Sequence, residues 1–152
     1  MDPVDPKFRP MRPADIPAIL KVEHASFTLP WTRQAFYNEL VHNQFARYTV
    51  AELDGQVIGY CGMWIILDEA HITNIAILPE YRGKKIGKAL LIYKMAEAKI
   101  SGAATMVLEV RVSNHIAQRL YQSLGFRKIG VRPRYYTDNH EDAYIMEAIL
   151  LE

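Results

Sequence analysis

The sequence predicts a mixed α/β (α+β) fold: a single domain with about seven strands in a mixed sheet and about four helices on its faces. Two observations carry this. Apolar residues recur at helical spacing in four segments, and strand-like runs bounded by turn residues occur in seven. Their order along the chain is β-αα-βββ-α-β-α-ββ, without regular βαβ alternation, and such an order predicts a mixed sheet rather than a purely parallel one.

Residues 1–6 of "MDPVDPKFRP" are expected to be a loose tail ahead of one domain spanning 7–152. A short strand is placed near Phe8. In "ADIPAILKVEHASF", Ile16, Ile19, Leu20 and Phe27 fall at helical spacing. "LPW" then interrupts, and Thr32 is placed to cap a second helix through about Leu40. "ARYTVAEL" and "QVIGYCGMWII" flank Asp54-Gly55, a two-residue hairpin signal. "EAHITNIAIL" reads as a third long strand, ended by Pro79. A helix over 86–100 follows and stops at Ser101-Gly102. "ATMVLEVRV" is a strand. Asn114 caps "HIAQRLYQSL", which Gly125 ends. Two last strands are expected near 126–136 and 143–150, with "TDNHED" turning between them. Residues 69–110 thus give strand–helix–strand, a parallel crossover.

Composition narrows the function classes. A chain of 152 residues suits one domain with one sizeable core. A net charge of +1 argues against a broad nucleic-acid surface. Cys61 is the only cysteine, so no intramolecular disulfide can form and a reducing compartment fits. Within "VIGYCGMWII" that thiol reads as buried and inert rather than as an acetyl-carrying nucleophile. The N-terminus has the features of neither a signal peptide nor a transit peptide. No apolar run approaches the ~20 residues of a membrane span. A cytoplasmic protein with no membrane partner is expected. His24, His42, His71, His115 and His140 lack metal-ligand spacing, so no metal is expected.

The stretch "PEYRGKKIGKALL" breaks a local rule. From Tyr81 to Ala96 there are five basic residues, Arg82, Lys84, Lys85, Lys88 and Lys94, and no acid. Cations at a helix start oppose its dipole. The cluster lies at the carboxyl end of one strand and the amino end of a helix, where phosphate binds readily. Gly83 and Gly87 supply freedom to turn. A local anionic ligand is one reading, and a solvated basic turn is the other.

"RGKKIGKALL" resembles the acyl-CoA pyrophosphate loop, Gln/Arg-x-x-Gly-x-Gly/Ala, of the GCN5-related N-acetyltransferases (GNAT). Arg82 takes the first place and Gly87 the last. Lys85 replaces the middle glycine, so this position is expected not to demand a positive φ. "LEVRVSNHIAQRLYQSLGF" resembles the signature of protein N-terminal acetyltransferases of the RimI type. "LPW", "DEAHITNIAILPEYRG" and "RYYTDNHEDAYIM" are similar to the same type. The resemblance implies a GNAT-like, mostly antiparallel sheet and acetyl-CoA as cosubstrate. It assigns coenzyme binding to Arg82, Gly83, Lys84, Lys85, Ile86, Gly87 and Lys88, with Asn114 and the backbone of Ile75, Ala76 and Ile77. The implied acceptor is a protein N-terminus, that of a ribosomal protein beginning with alanine, acetylated by direct transfer in a ternary complex. An acetyltransferase of small amines (polyamine or aminoglycoside) and a non-enzymatic acyl-CoA-binding module are the alternatives.

Acetyl transfer to an amine requires that the amine lose a proton, that the developing oxyanion meet a donor, and that the thiolate receive a proton. Glu109 alternates with Thr105, Val107 and Arg111 on one strand face. The residues alone allow an exposed Glu109–Arg111 pair, whereas the resemblance makes Glu109 the general base. Tyr121 joins Ile116, Ala117, Leu120 and Leu124 in an apolar stripe and could be a packed core tyrosine. The resemblance makes it the acid that protonates the coenzyme thiolate. Asn114 is both a helix cap and, by resemblance, a coenzyme contact. Leu29, Pro30, Trp31, Tyr135 and Tyr136 are either loop anchors or, by resemblance, the lining of the peptide groove.

Overall fold

The computed structural model describes residues 5–151. Its elements are β1 (Lys7–Pro10), α1 (Ile16–Ser26), α2 (Arg33–Val41), β2 (Ala46–Leu53), β3 (Gln56–Ile66), β4 (Glu69–Ile77), α3 (Ile86–Ile100), β5 (Thr105–Arg111), α4 (His115–Ser123), β6 (Arg127–Arg132) and β7 (Ala143–Ile149). Single 3₁₀ turns lie at Pro13–Asp15 and Pro79–Tyr81. Element order follows the sequence expectation, and the strands form one sheet in the order β1-β2-β3-β4-β5-β7-β6. β4 and β5 pair in parallel, as the strand–helix–strand reading requires. The β1–β2, β2–β3, β5–β7 and β6–β7 pairs are antiparallel. Residues 1–4 of the expected tail lie outside the described residues, and Asp5 and Pro6 have no regular structure.

Local chemistry sets the boundaries. Thr32 Oγ1 accepts from Ala35 N–H at 3.1 Å, and Asn114 Oδ1 accepts from Ala117 N–H at 3.0 Å, so both residues cap as expected. Asp54 and Gly55 have φ of 51° and 79°, the two positive values a tight hairpin turn needs. β6 ends at Arg132, short of the expected 136. Pro133 cannot donate to a ladder, and Arg134 turns the chain with φ of 53°.

The described residues divide into two compact units: residues up to Trp64 with Thr73–Lys94, and Ile65–Ile72 with the residues from Met95 on. In the first, Ile16, Ile19, Val22, Phe36, Tyr48, Val50, Val57 and Tyr60 form the apolar core. Lys94 is fully buried in this unit, its Nζ donating to Arg47 O and Thr49 Oγ1, each at 2.9 Å. It therefore does not belong to the basic surface its place in the sequence suggested. Gly62 is required by space. A Cβ there would come within 2.5–2.6 Å of Asn74 Oδ1, Tyr48 Cζ and Thr73 Oγ1. Cys61 is buried, as expected.

In the second unit Met106, Leu108 and Val110 of β5 alternate inward, with Ala143, Met146 and Ala148 of β7 also buried. Tyr121 is 8% exposed, its ring centroid 5.9 Å from that of Phe126. Ile116, expected in the same stripe, is 82% exposed. It precedes Tyr121 by five residues, well over a right angle around the helix. Gln118 is buried instead, its amide donating to Arg111 O and Val112 O at 3.0 Å. No helix among the described residues is long and apolar enough to cross a membrane.

Gly62→Ala is expected to destabilise the fold by about 1–3 kcal/mol through overpacking, measured as a lower urea midpoint at unchanged m-value.

Candidate active site

In the first unit, β4 delivers the chain to the basic loop. Ala76 and Ile77 are buried and Ile75 is partly exposed. Leu78 N–H donates to Ile58 O at 2.8 Å, and the 3₁₀ turn follows. Gly83 has φ of 77°, with nothing near its missing Cβ. Lys85 has φ of 63°. This corrects the expectation drawn from the lysine. The turn into α3 needs a left-handed residue here, and a side chain with a Cβ adopts that conformation at some cost. Lys85 O then accepts the first helical bond, from Ala89 N–H at 3.1 Å. Gly87, expected to supply turning freedom, lies inside α3 without a positive φ, and a Cβ there would merely touch Ile77.

The first turn of α3 presents N–H groups that have no intrahelical partner by geometry. Gly83, Lys84 and Lys85 are exposed before it, and Lys88 is partly exposed. This arrangement suits an anion such as a pyrophosphate. Arg82 points elsewhere: its Nε donates to Ile77 O and an NH2 donates to Ser26 Oγ, both at 3.0 Å. Its guanidinium braces the end of β4 against the end of α1.

The segment between α1 and α2 is anchored at one end and open at the other. Trp31 packs on Phe36 with centroids 5.4 Å apart, and its N–H donates to Glu23 Oε1 at 3.0 Å. Leu29 is 59% exposed and Pro30 is partly exposed. Glu23 itself is 2% exposed. Burial raises its pKa, against the lowering effect of the Trp31 N–H and the Tyr60 hydroxyl.

In the second unit Glu109 is not an exposed partner of Arg111. Its side chain is 8% exposed, with His71 Nε2 at 2.7 Å and Arg132 Nε at 3.5 Å. An ionised carboxylate only accepts, so that His71 nitrogen carries the proton. Arg111 turns instead to the β6–β7 loop, reaching Asp138 at 2.8 Å, Asn139 at 3.2 Å and Glu141 at 3.3 Å. Its guanidinium carbon lies 4.0 Å from the Tyr136 ring centroid. Ala143 pairs with both Arg111 and Arg132. Tyr135 meets Tyr136 edge-on at 5.1 Å. Burial raises the pKa of Tyr135, and the Glu109 charge adds to this. Burial pushes Tyr136 up to about 12, against the favourable Arg111 charge. Glu141 lies below the ordinary carboxylate range because Ser113 donates to it, with Arg111 and Asn139 assisting. Glu109, Tyr135 and Tyr136 are therefore brought together, while Tyr121 and Asn114 sit on and before α4. Sequence reasoning missed His71. Its alternation with Thr73 and Ile75 on β4 was the available signal, but its partner is 38 residues away. No group of three or more His, Cys, Asp or Glu among the described residues could hold a metal ion.

The pattern of the Acetyltransferase (GNAT) family matches residues 16–126. A Bacillus subtilis (strain 168) protein, provisionally named a ribosomal protein bS18-alanine N-acetyltransferase, is 51% identical over 138 residues, covering 91% of each chain. The ribosomal protein bS18-alanine N-acetyltransferase of Escherichia coli (strain K12) is 39% identical over 136 residues, 87% of this chain and 89% of that one. A crystal structure of the ribosomal-protein-S18-alanine N-acetyltransferase from Escherichia coli aligns with a TM-score of 0.90 at 32% identity, covering 97% of this chain and 96% of that one.

Lys85→Gly removes the Cβ from a left-handed position and is expected to raise stability by about 1 kcal/mol, seen as a higher Tm. Lys85→Val, branched at Cβ, should lower it. The depressed pKa of Glu141 means that its anchoring of the loop is present above its ordinary value of 4.5 and is lost as pH falls through the depressed one. The amide proton shift of Ser113, followed by NMR, should therefore collapse on acidification below that range. Glu141→Gln should abolish the transition.

Proposed function

Because the chain belongs to the acetyltransferase (GNAT) family, we infer that it is an acetyl-CoA-dependent N-α-acetyltransferase whose acceptor is the N-terminal alanine of a ribosomal protein. The observation that carries the chemistry is Glu109, a nearly buried carboxylate held by His71 at 2.7 Å on a strand beside Tyr135 and Tyr136. The names of the two relatives support the choice of acceptor.

Acetyl-CoA supplies the acyl group as an activated thioester. The chain's residues fit its phosphates through the N–H groups at the start of α3, the turn at Gly83 and Lys85, and the cations Lys84, Lys85 and Lys88. Arg82 and Ile86 contribute through the backbone of the loop, and the Arg82 side chain holds the loop to β4. Ile75, Ala76 and Ile77 would hold the acyl arm through their backbone, the Ile77 N–H being the donor that would polarise a thioester carbonyl. Asn114 contacts the coenzyme while capping α4.

A free α-amine has a pKa of about 7.7–8.0, so near neutrality most of it is protonated. Glu109 takes the proton, directly or through a water, and His71 shares the charge change through its Nε2–H. The Tyr121 hydroxyl, protonated at neutral pH, gives a proton to the departing sulfur. Leu29, Pro30 and Trp31 of the first unit are acceptor-binding residues, and so are Tyr135 and Tyr136 of the second. The protein works in the cytoplasm, on protein rather than nucleic acid, in keeping with a net charge of +1.

Incubation with acetyl-CoA and peptides copying ribosomal-protein N-termini should acetylate the α-amine, read by mass spectrometry. Modification of lysine alone, or of polyamines but no peptide, overturns the assignment. Glu109→Gln is expected to cut turnover by about 10²–10⁴-fold with acetyl-CoA binding nearly intact. Tyr121→Phe should lower turnover more than coenzyme affinity; a reduced Tm with full turnover would leave Tyr121 a packing residue. An unchanged acetyl-CoA dissociation constant in Lys85→Gly would remove the Lys85 ammonium from the phosphate contacts.

A further inference from the structure

The first unit contains a chain of hydrogen bonds that the mechanism does not use. Glu23 Oε1 accepts from Trp31 N–H at 3.0 Å, and Oε2 accepts from the Tyr60 hydroxyl. Tyr60 accepts in turn from Asn74 Nδ2 at 2.8 Å, and Asn74 Oδ1 accepts from the Thr73 hydroxyl at 2.8 Å. Thr73 Oγ1 lies 3.1 Å from the Tyr48 hydroxyl, which donates to Glu39 Oε1 at 2.9 Å. Trp64 Nε1 and Asn43 Nδ2 complete the Glu39 carboxylate at 2.7 and 2.6 Å. The absence of a Cβ at Gly62 is what lets Asn74, Thr73 and Tyr48 meet.

A buried carboxylate is a costly way to fill space, and apolar packing is often as stable. A carboxylate at 23 does what an apolar side chain cannot: it accepts from two elements at once. One is the backbone of the α1–α2 segment. The other, through Tyr60, is the part of β4 that runs directly into Ile75–Ile77.

We propose that Glu23 is a positioning residue for the acceptor, one buried carboxylate fixing the Leu29–Trp31 segment to the Thr73–Asn74 stretch of β4. This rests on the reading of Leu29–Trp31 as acceptor-binding and of Ile75–Ile77 as the acyl-arm strand. The spacing between acceptor segment and acyl strand is then set by Glu23 and Tyr60, neither of which touches substrate.

Glu23→Gln preserves size but turns one acceptor into a donor facing Tyr60. The peptide KM should rise about tenfold, the scale of one buried hydrogen bond lost. kcat and the acetyl-CoA dissociation constant should stay within about twofold. Hydrogen exchange should accelerate together over residues 27–32 and 73–75. Tyr60→Phe removes the hydroxyl that joins Glu23 to Asn74 and keeps the Trp31 N–H bond to Glu23. It should raise the peptide KM and loosen 73–75 while Trp31 N–H stays protected, and it serves as the test should Glu23→Gln not fold. An unchanged peptide KM in a folded variant, with or without a lower Tm, overturns the proposal. So does acceleration of one segment alone in Glu23→Gln. If the wild-type protein acetylates no peptide α-amine, the functional reading fails separately, and the paired exchange measurement still decides whether Glu23 couples the two segments.

Discussion

An α-helix leaves its first N–H groups without partners inside the helix, and the basic loop of this protein is built around that constraint at α3. β4 ends at Ile77, one 3₁₀ turn follows, and two left-handed residues, Gly83 and Lys85, swing the chain into the helix. The left-handed residue with a Cβ stands directly before the first helical position. In the sequence, five cations within a few turns stand against the dipole of the helix they precede and enter. Folding separates them: Lys94 is buried against β2, and Arg82 is turned onto Ile77 O and Ser26. Of the others, Lys84 and Lys85 are left exposed and Lys88 partly so.

The same logic, with the charge reversed, governs Glu109. A carboxylate at 8% side-chain exposure needs hydrogen-bond partners in place of water. His71 supplies one across the parallel β4–β5 pair, where it lies opposite Val107. Arg132 supplies another, weaker one from β6. The neighbouring Arg111 directs its hydrogen bonds to the β6–β7 loop. It braces Tyr136 and the acidic turn instead.

Polar groups buried in the first unit obey the same accounting. Glu23 and Glu39 lie among apolar side chains, yet each accepts from at least two donors contributed by other elements. Burial raises the pKa of Tyr48 and Tyr60, so their hydroxyls stay protonated and can donate. Hydrogen bonding of this kind is directional, and it holds α1, α2, β2, β3 and β4 in a register that apolar contacts alone would leave less defined.

The sequence by itself determined the elements and their order, because each rests on neighbouring residues. Apolar spacing, the Thr32 and Asn114 caps, and the Asp54-Gly55 turn act over a few positions, and the structure reproduces them. Family motifs also made Glu109, Tyr121 and the basic loop legible as candidates. Tertiary structure decided what surrounds them. It put Lys85 in a left-handed conformation, buried Lys94, exposed Ile116, stopped β6 at Arg132 and paired Glu109 with His71 rather than Arg111. The reason is physical. Backbone propensity is a short-range property, whereas the partner of a charged or polar side chain is set by strand pairing between residues tens of positions apart, and only the folded sheet brings those residues together.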